Sequence, residues 1–217
     1  MNLAAVSLLT DHPENRTWYR VVGTGYLASA IATAHTVVVP SRFYDPITAY
    51  PQFSSLYVSD NPLVAMFEAQ ALFGSPTTPG GSVPAPAGGA WAVLRVGVQL
   101  DAVVDLSDVA SQALLDVSVQ ELTGDWRGYR QRSMTTNVGN PIGTAPTQAL
   151  GEAIHRDPRG LEAMLIVSAK VPYNRNLVAF PGHLGRSSFV EYEWTDSGGV
   201  SHAFRIDQAH TNGAQIR

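Results

Sequence analysis

The chain has 217 residues, 45% hydrophobic and only 15% charged, which suits a packed globular core and excludes a disordered polymer. Fourteen basic and eighteen acidic residues leave a net charge of −4 with no basic stripe, which argues against nucleic-acid binding by bulk electrostatics. The absence of cysteine excludes disulfides, thiolate metal sites and a cysteine nucleophile.

No apolar run approaches ~20 residues, and the opening MNLAAVSLLTDHPENR lacks a basic leader region. Neither a membrane span nor a secretory signal is expected, and a cytoplasmic location is. Residues 17–23 (TWYRVVG) and 53–59 (FSSLYVS) are rich in aromatic and β-branched types and predict strands. Ser59-Asp60-Asn61-Pro62 then signals a helix start with proline in the first turn. The run LVAMFEAQALF is expected to carry that helix to Gly74.

In residues 74–89 (GSPTTPGGSVPAPAGG), nine of sixteen positions are Gly or Pro, which predicts a flexible loop without regular structure. The residues before it hold too little to close a core, so the loop reads as an excursion within one domain spanning 1–217. Beyond it, AWAVLRVGV (90–98) alternates as a strand, and AVVDL (102–106) is expected to pair beside it. Residues 107–133 read as helical or irregular. PTQALGEAIHRDP (146–158) predicts a helix stopped by Asp157-Pro158. EAMLIVS (162–168), NLVAFP (176–181), SFVEYEW (188–194) and HAFRI (202–206) predict strands. Strands outnumber helices and do not alternate with them strictly, which favours an α+β fold.

Four features could carry chemistry. On the helix after Pro62, Glu68 has Val64, Ala65, Ala71 and Leu72 at neighbouring helical positions, which puts a carboxylate on an apolar stripe. Such a group is costly unless it is paired, reaches water or has a function. In SRFYDP (41–46), Arg42 stands among aromatic and turn residues; it could hold a phosphate, or simply pair with Asp45. Ser168 ends a strand, where its hydroxyl could face a cleft or satisfy a turn, and no G-x-S-x-G elbow surrounds it. Thr147 and Gln148 sit at a helix start, where capping explains them. The six histidines show no metal-ligand spacing. Finally, VVGTGYLASA (21–30) matches G-x-G-x-x-A, with Asp45 twenty residues beyond Gly25. That pattern raises a Rossmann-type, NAD(P)-dependent oxidoreductase as one reading.

The ordered set WYRVV (18–22), SRFYDP (41–46), SSLYVSDNPLVAMFEA (54–69), PTQALG (146–151) and EAMLIVSAKVPYNRNLVAFP (162–181) resembles the RES-domain family. The resemblance spans most of the chain, with Ser41 and Phe43 where the family often has Gly and Trp. It implies an α+β fold like that of ADP-ribosyltransferase toxins, with mixed and antiparallel sheets and flanking helices around a central cleft. It implies as activity the destruction of NAD⁺ at the nicotinamide–ribose bond, by hydrolysis or phosphorolysis. The family's positions fall on Arg20 or Arg42, Tyr57, Glu68, Ser168 and Asn176.

On that resemblance, Glu68 supplies negative charge at the ribose, while Arg20 and Arg42 hold the pyrophosphate or an incoming phosphate. Tyr57 stacks on nicotinamide or ribose, and Ser168 orders Glu68 or meets the nicotinamide. NAD⁺ is then substrate rather than cofactor, with inorganic phosphate as an optional co-substrate and no metal. The implied partner is a cognate antitoxin or immunity protein; no nucleic acid or membrane is expected. A mono-ADP-ribosyltransferase acting on a protein acceptor and a catalytically dead binding module stay open beside it.

Overall fold

In a computed structural model, described for residues 1–84, 89–129 and 143–216, the chain folds around one highly connected sheet. Two long strands form its spine, β1 (Asp11–Gly23) and β5 (Trp91–Asp105). They pair antiparallel from Asp11↔Val104 to Gly23↔Trp91, with one irregularity between His12 and Glu14, where Pro13 has no N–H to give the ladder. From β1 the sheet runs through β2 (Leu56–Ser59), β7 (Arg175–Ala179) and β6 (Ala163–Val167) back to β5. These five strands therefore close into a small barrel. The β5–β6 pairing is parallel and the other four are antiparallel. The strands β8 (Phe189–Thr195), β9 (Ser201–Asp207) and β10 (Ala214–Gln215) extend the sheet outward from the middle of β5.

The continuous apolar runs of β6 and β7 follow from burial on both faces. Ala163, Leu165, Leu177 and Ala179 point into one apolar layer with Trp18, Val58, Val96 and Val98. Their alternating neighbours Met164, Ile166, Val178 and Phe180 point into a second. That second layer receives Leu115 of helix α2 (Val109–Leu115), Leu122 of α3 (Val119–Thr123), and Leu150 and Ile154 of α4 (Pro146–His155). A one-residue slip in either strand would exchange the two sets, so the register is tightly specified.

The α+β expectation holds, as a sheet-dominated fold with few helices. Several boundaries differ. Helix α1 covers only Pro62–Glu68, not the run to Gly74. It ends in a Schellman turn: Gln70 takes a left-handed φ of 59°, and Ala71 and Gln70 donate backwards to the carbonyls of Met66 and Phe67. Leu72–Gly74 then becomes strand β3, paired with β4 (Ser82–Pro84), so part of the Gly/Pro stretch is regular; residues 85–88 lie outside the described ones, as do 130–133 of the segment 107–133. Segments 90–98 and 102–106 are not partners but parts of one strand, because β1 pairs with both of them.

The oxidoreductase reading of VVGTGYLASA is overturned. Thr24–Ser29 after the glycines is a 3₁₀ turn rather than a long helix, and Ala34–Val37 is another where the second strand was needed. Strand β1 also runs antiparallel to both neighbours, so no dinucleotide-binding βαβ unit exists there. Buried Asp45, the ribose ligand of that reading, accepts the Ile47 N–H in its own turn.

Candidate active site

Helix α1 begins where Asn61 caps it, its side-chain oxygen taking the Val64 N–H at 3.0 Å with Pro62 in the first turn. The Asn61 amide also donates to Asn174 Oδ1 at 2.6 Å, and Asp60 accepts the Arg175 N–H at 2.8 Å. Both bonds tie the helix start to the loop entering β7. Glu68, the last residue of α1, is thereby carried over the ends of β6 and β7. Val64 and Ala65 are buried beneath it. Ala71 and Leu72 lie past the helix end, so only half of the expected stripe exists.

Glu68 is half-buried and held by two donors on one oxygen. Ser168 Oγ donates to Oε1 at 2.7 Å and Asn176 Nδ2 donates to the same oxygen at 2.8 Å. The amide is oriented in turn by Ser59, whose hydroxyl donates to Asn176 Oδ1 at 2.7 Å; Ser59 and Asn176 are register partners in the β2–β7 ladder. Ser168 also accepts the N–H groups of Val171 and Lys170 at 3.0 and 3.2 Å. The turn role foreseen for this serine is thus filled, and the same hydroxyl also holds Glu68. Among the described residues no donor reaches Oε2, which leaves a fixed carboxylate with one oxygen for a ligand.

Two hollows meet at this carboxylate. One of about 240 Å³ is lined by Tyr19, Arg20, Tyr57, Ser59, Glu68 and Asn176. The other, about 370 Å³, shares Tyr57, Glu68 and Asn176 and adds Arg42, Arg127 and Lys170. Arg42 is positioned from three sides. Gln148 near the start of α4 donates to the carbonyls of Ser41 and Tyr44 at 2.9 and 3.2 Å, which locks the turn carrying it. Gly151 lets α4 lie against that turn, since a Cβ there would sit 2.0 Å from the Phe43 carbonyl oxygen. Arg42 Nη1 itself donates to the carbonyls of Leu122, at 3.3 Å, and of Gly124 at the end of α3, where a cation is favoured. Burial lowers the Arg42 pKa below its ordinary value, while Glu68, Tyr57 and Asp125 act in the opposite sense.

Tyr57 shares a hydrogen bond with Ser41 Oγ at 3.0 Å. Burial pushes its phenol up to about 12, against the pull of Ser41, the Phe43 backbone and Arg42, so it is a neutral donor or acceptor near pH 7. Arg20 serves differently from Arg42. Strands β1 and β2 share one register pair, Tyr19↔Ser59, and then part. The Arg20 guanidinium bridges the gap, donating to the Tyr57 and Ala30 carbonyls at 2.6 Å each. Burial brings its pKa down to about 10, which leaves it cationic at neutral pH.

Five of the six residues singled out in the sequence, Arg20, Arg42, Tyr57, Glu68 and Asn176, line one or both hollows; Ser168 lines neither and joins them through its bond to Glu68. Sequence reasoning missed Ser59, Gln148, Arg127 and Lys170. Ser59 and Gln148 looked like helix-boundary residues, and their site contacts come from partners more than a hundred positions away. Arg127 fell in a segment with no clear period.

Among the described residues no helix is long and apolar enough to cross a membrane. No curated protein matches the sequence. Among solved structures, the fold is similar to a chain in the crystal structure of the M. tuberculosis MbcT–MbcA toxin–antitoxin complex. The TM-score is 0.57 at 15% identity, with 96% of this chain and 93% of that chain covered. The sequence itself matches the RES domain over residues 17–195. On that match, which takes in every one of the six residues, the chain belongs to the RES-domain family.

Proposed function

We propose that this protein is a toxin that cleaves the nicotinamide–ribose bond of NAD⁺, with the cleft beside α1 as its active site. The observation that carries the reading is the Glu68 carboxylate, fixed by Ser168 and Asn176 in a hollow that also holds Arg42. Cleavage breaks the C1′–N bond with both electrons leaving on the nicotinamide nitrogen, which becomes neutral. Positive charge then develops on the ribose, and an anion fixed in advance beside it lowers the barrier without reorganising. Water adds to C1′ and loses a proton, giving ADP-ribose, nicotinamide and H⁺. Phosphate as acceptor gives ADP-ribose-1″-phosphate instead, and the cluster of Arg42, Arg127 and Lys170 suits a dianion.

In this scheme NAD⁺ is consumed rather than held as a cofactor. Tyr57, neutral and hydrogen-bonded to Ser41, presents a ring to the nicotinamide ribose. The similar fold in a toxin–antitoxin complex supports a toxin restrained by a cognate antitoxin or immunity protein, and NAD⁺ as substrate suits a cytoplasmic site of action.

The test is incubation of the purified protein with NAD⁺, with and without phosphate, followed by mass spectrometry. Loss of NAD⁺ with free ADP-ribose or its 1″-phosphate supports the proposal. A mass increase on protein would instead mark a mono-ADP-ribosyltransferase, and intact NAD⁺ would refute cleavage altogether.

A further inference from the structure

We propose that a third hollow, at the far end of β1, binds the adenosine half of the dinucleotide; this rests on the NAD⁺ reading above. The space is about 760 Å³, lined among others by Arg20, Gly25, Tyr26, His35, Gly89 and Trp91, within the usual size of small-molecule sites. It is built from the last residues of β1, the 3₁₀ turn after them and the first residue of β5. Trp91 stands opposite Gly23 in the ladder, so no side chain covers the indole from the partner strand. At Gly25 and Gly89 a Cβ would meet no atom within 4 Å, so the space beside them is open.

Two large aromatic side chains are exposed here, Tyr26 at 70% and Trp91 at 40%. Exposed rings around a concave space give a neutral heterocycle a stacking platform. The division of charge along the molecule matches a dinucleotide. At one end the small hollow offers the Glu68 carboxylate to a cationic pyridinium and its ribose. At the other the aromatic hollow offers apolar faces to an uncharged purine, with no carboxylate among its described lining residues. Arg20 lines both spaces; with Nε and Nη1 on the Ala30 and Tyr57 carbonyls, its positive charge is fixed between them, where the proposal puts the diphosphate.

The experiment measures AMP binding by calorimetry and NAD⁺ consumption for the parent chain, Trp91→Ala, Trp91→Phe and Tyr26→Ala. AMP affinity is expected to fall at least tenfold in Trp91→Ala and to return substantially in Trp91→Phe. KM for NAD⁺ should rise in parallel with the loss of AMP affinity and kcat should change far less, a split that general loss of folding would not give. Absent AMP binding by the parent chain, or equal binding by Trp91→Ala, overturns the assignment. If the parent binds AMP through Trp91 yet leaves NAD⁺ intact, the cleavage reading fails and the adenosine site stands. If NAD⁺ is cleaved and Trp91 does not matter to AMP, the site fails and cleavage stands.

Discussion

Ser168 donates its hydroxyl to Glu68 Oε1 at 2.7 Å across a hundred residues of chain, and Asn176 converges on that same oxygen. Two neutral donors on one oxygen hold the carboxylate still without cancelling its charge. Glu68→Gln keeps an oxygen for both donors but removes the charge. By analogy with loss of a single oxyanion-hole donor, about 3–4 kcal/mol of transition-state stabilisation should go, a drop of roughly 10²–10³ in rate. NAD⁺ consumption and a thermal melt should show an inactive protein with a nearly unchanged midpoint; parental turnover would remove Glu68 from the chemistry.

Arg42 uses one nitrogen, Nη1, on the carbonyls that end α3, leaving the rest of the fork to face the cleft. Lysine at this position has a single ammonium and cannot serve both directions. Arg42→Lys should therefore fold but lose at least tenfold in kcat/KM for NAD⁺, about 1.4 kcal/mol. Steady-state kinetics beside the parent chain make the check, and an unchanged kcat/KM would place substrate recognition elsewhere.

Gly151 sits in the middle of α4, where alanine would ordinarily strengthen a helix by up to ~1 kcal/mol. Here the added methyl would meet the Phe43 carbonyl oxygen at 2.0 Å and its carbon at 2.8 Å. Overpacking against backbone costs about 1–3 kcal/mol and sometimes more, so the clash outweighs the propensity. Gly151→Ala should lower the unfolding free energy by about 2 kcal/mol in urea. It should also reduce activity, because α4 carries Gln148, which locks the Arg42 turn. A stabilised variant would show that α4 and the 41–44 turn separate freely.

Much of this architecture is legible in the sequence wherever the signal is local. The strands show as alternation or as continuous apolar runs, and α1 announces its start through Asn61 and Pro62. Its end was hidden because the left-handed residue is Gln70 rather than glycine. The closed barrel was hidden too, since the pairing of β1 with β5 joins segments far apart in the chain and leaves no local mark. The site divides in the same way. Glu68 and Ser168 stand out as polar groups at apolar positions, which is a local anomaly. Ser59 and Gln148 do not, because each has a sufficient local explanation and acquires its second role only through long-range register or helix docking.

The pH response offers a test away from the cleft. His155, at the end of α4, is buried and stacked between Phe53 at 4.0 Å and His183 at 4.1 Å, with Nδ1 lacking a hydrogen-bond partner among the described residues. Burial, with the His183 ring adding to it, brings its pKa down to about 4, against about 6.5 for an unperturbed imidazole. Between those values the unfolded chain carries a proton that the folded chain refuses. Stability therefore rises with pH through this window: the contribution is complete above about 6.5 and is lost as the pH falls toward 4. The linkage amounts to about 3 kcal/mol at most. Carboxylates protonate over part of the same range in any variant, so the informative quantity is a difference. Urea unfolding of the parent chain and His155→Leu at pH 7 and pH 5 should show the parent losing more stability on acidification. Equal losses in the two proteins would mean that His155 takes up its proton as readily folded as unfolded.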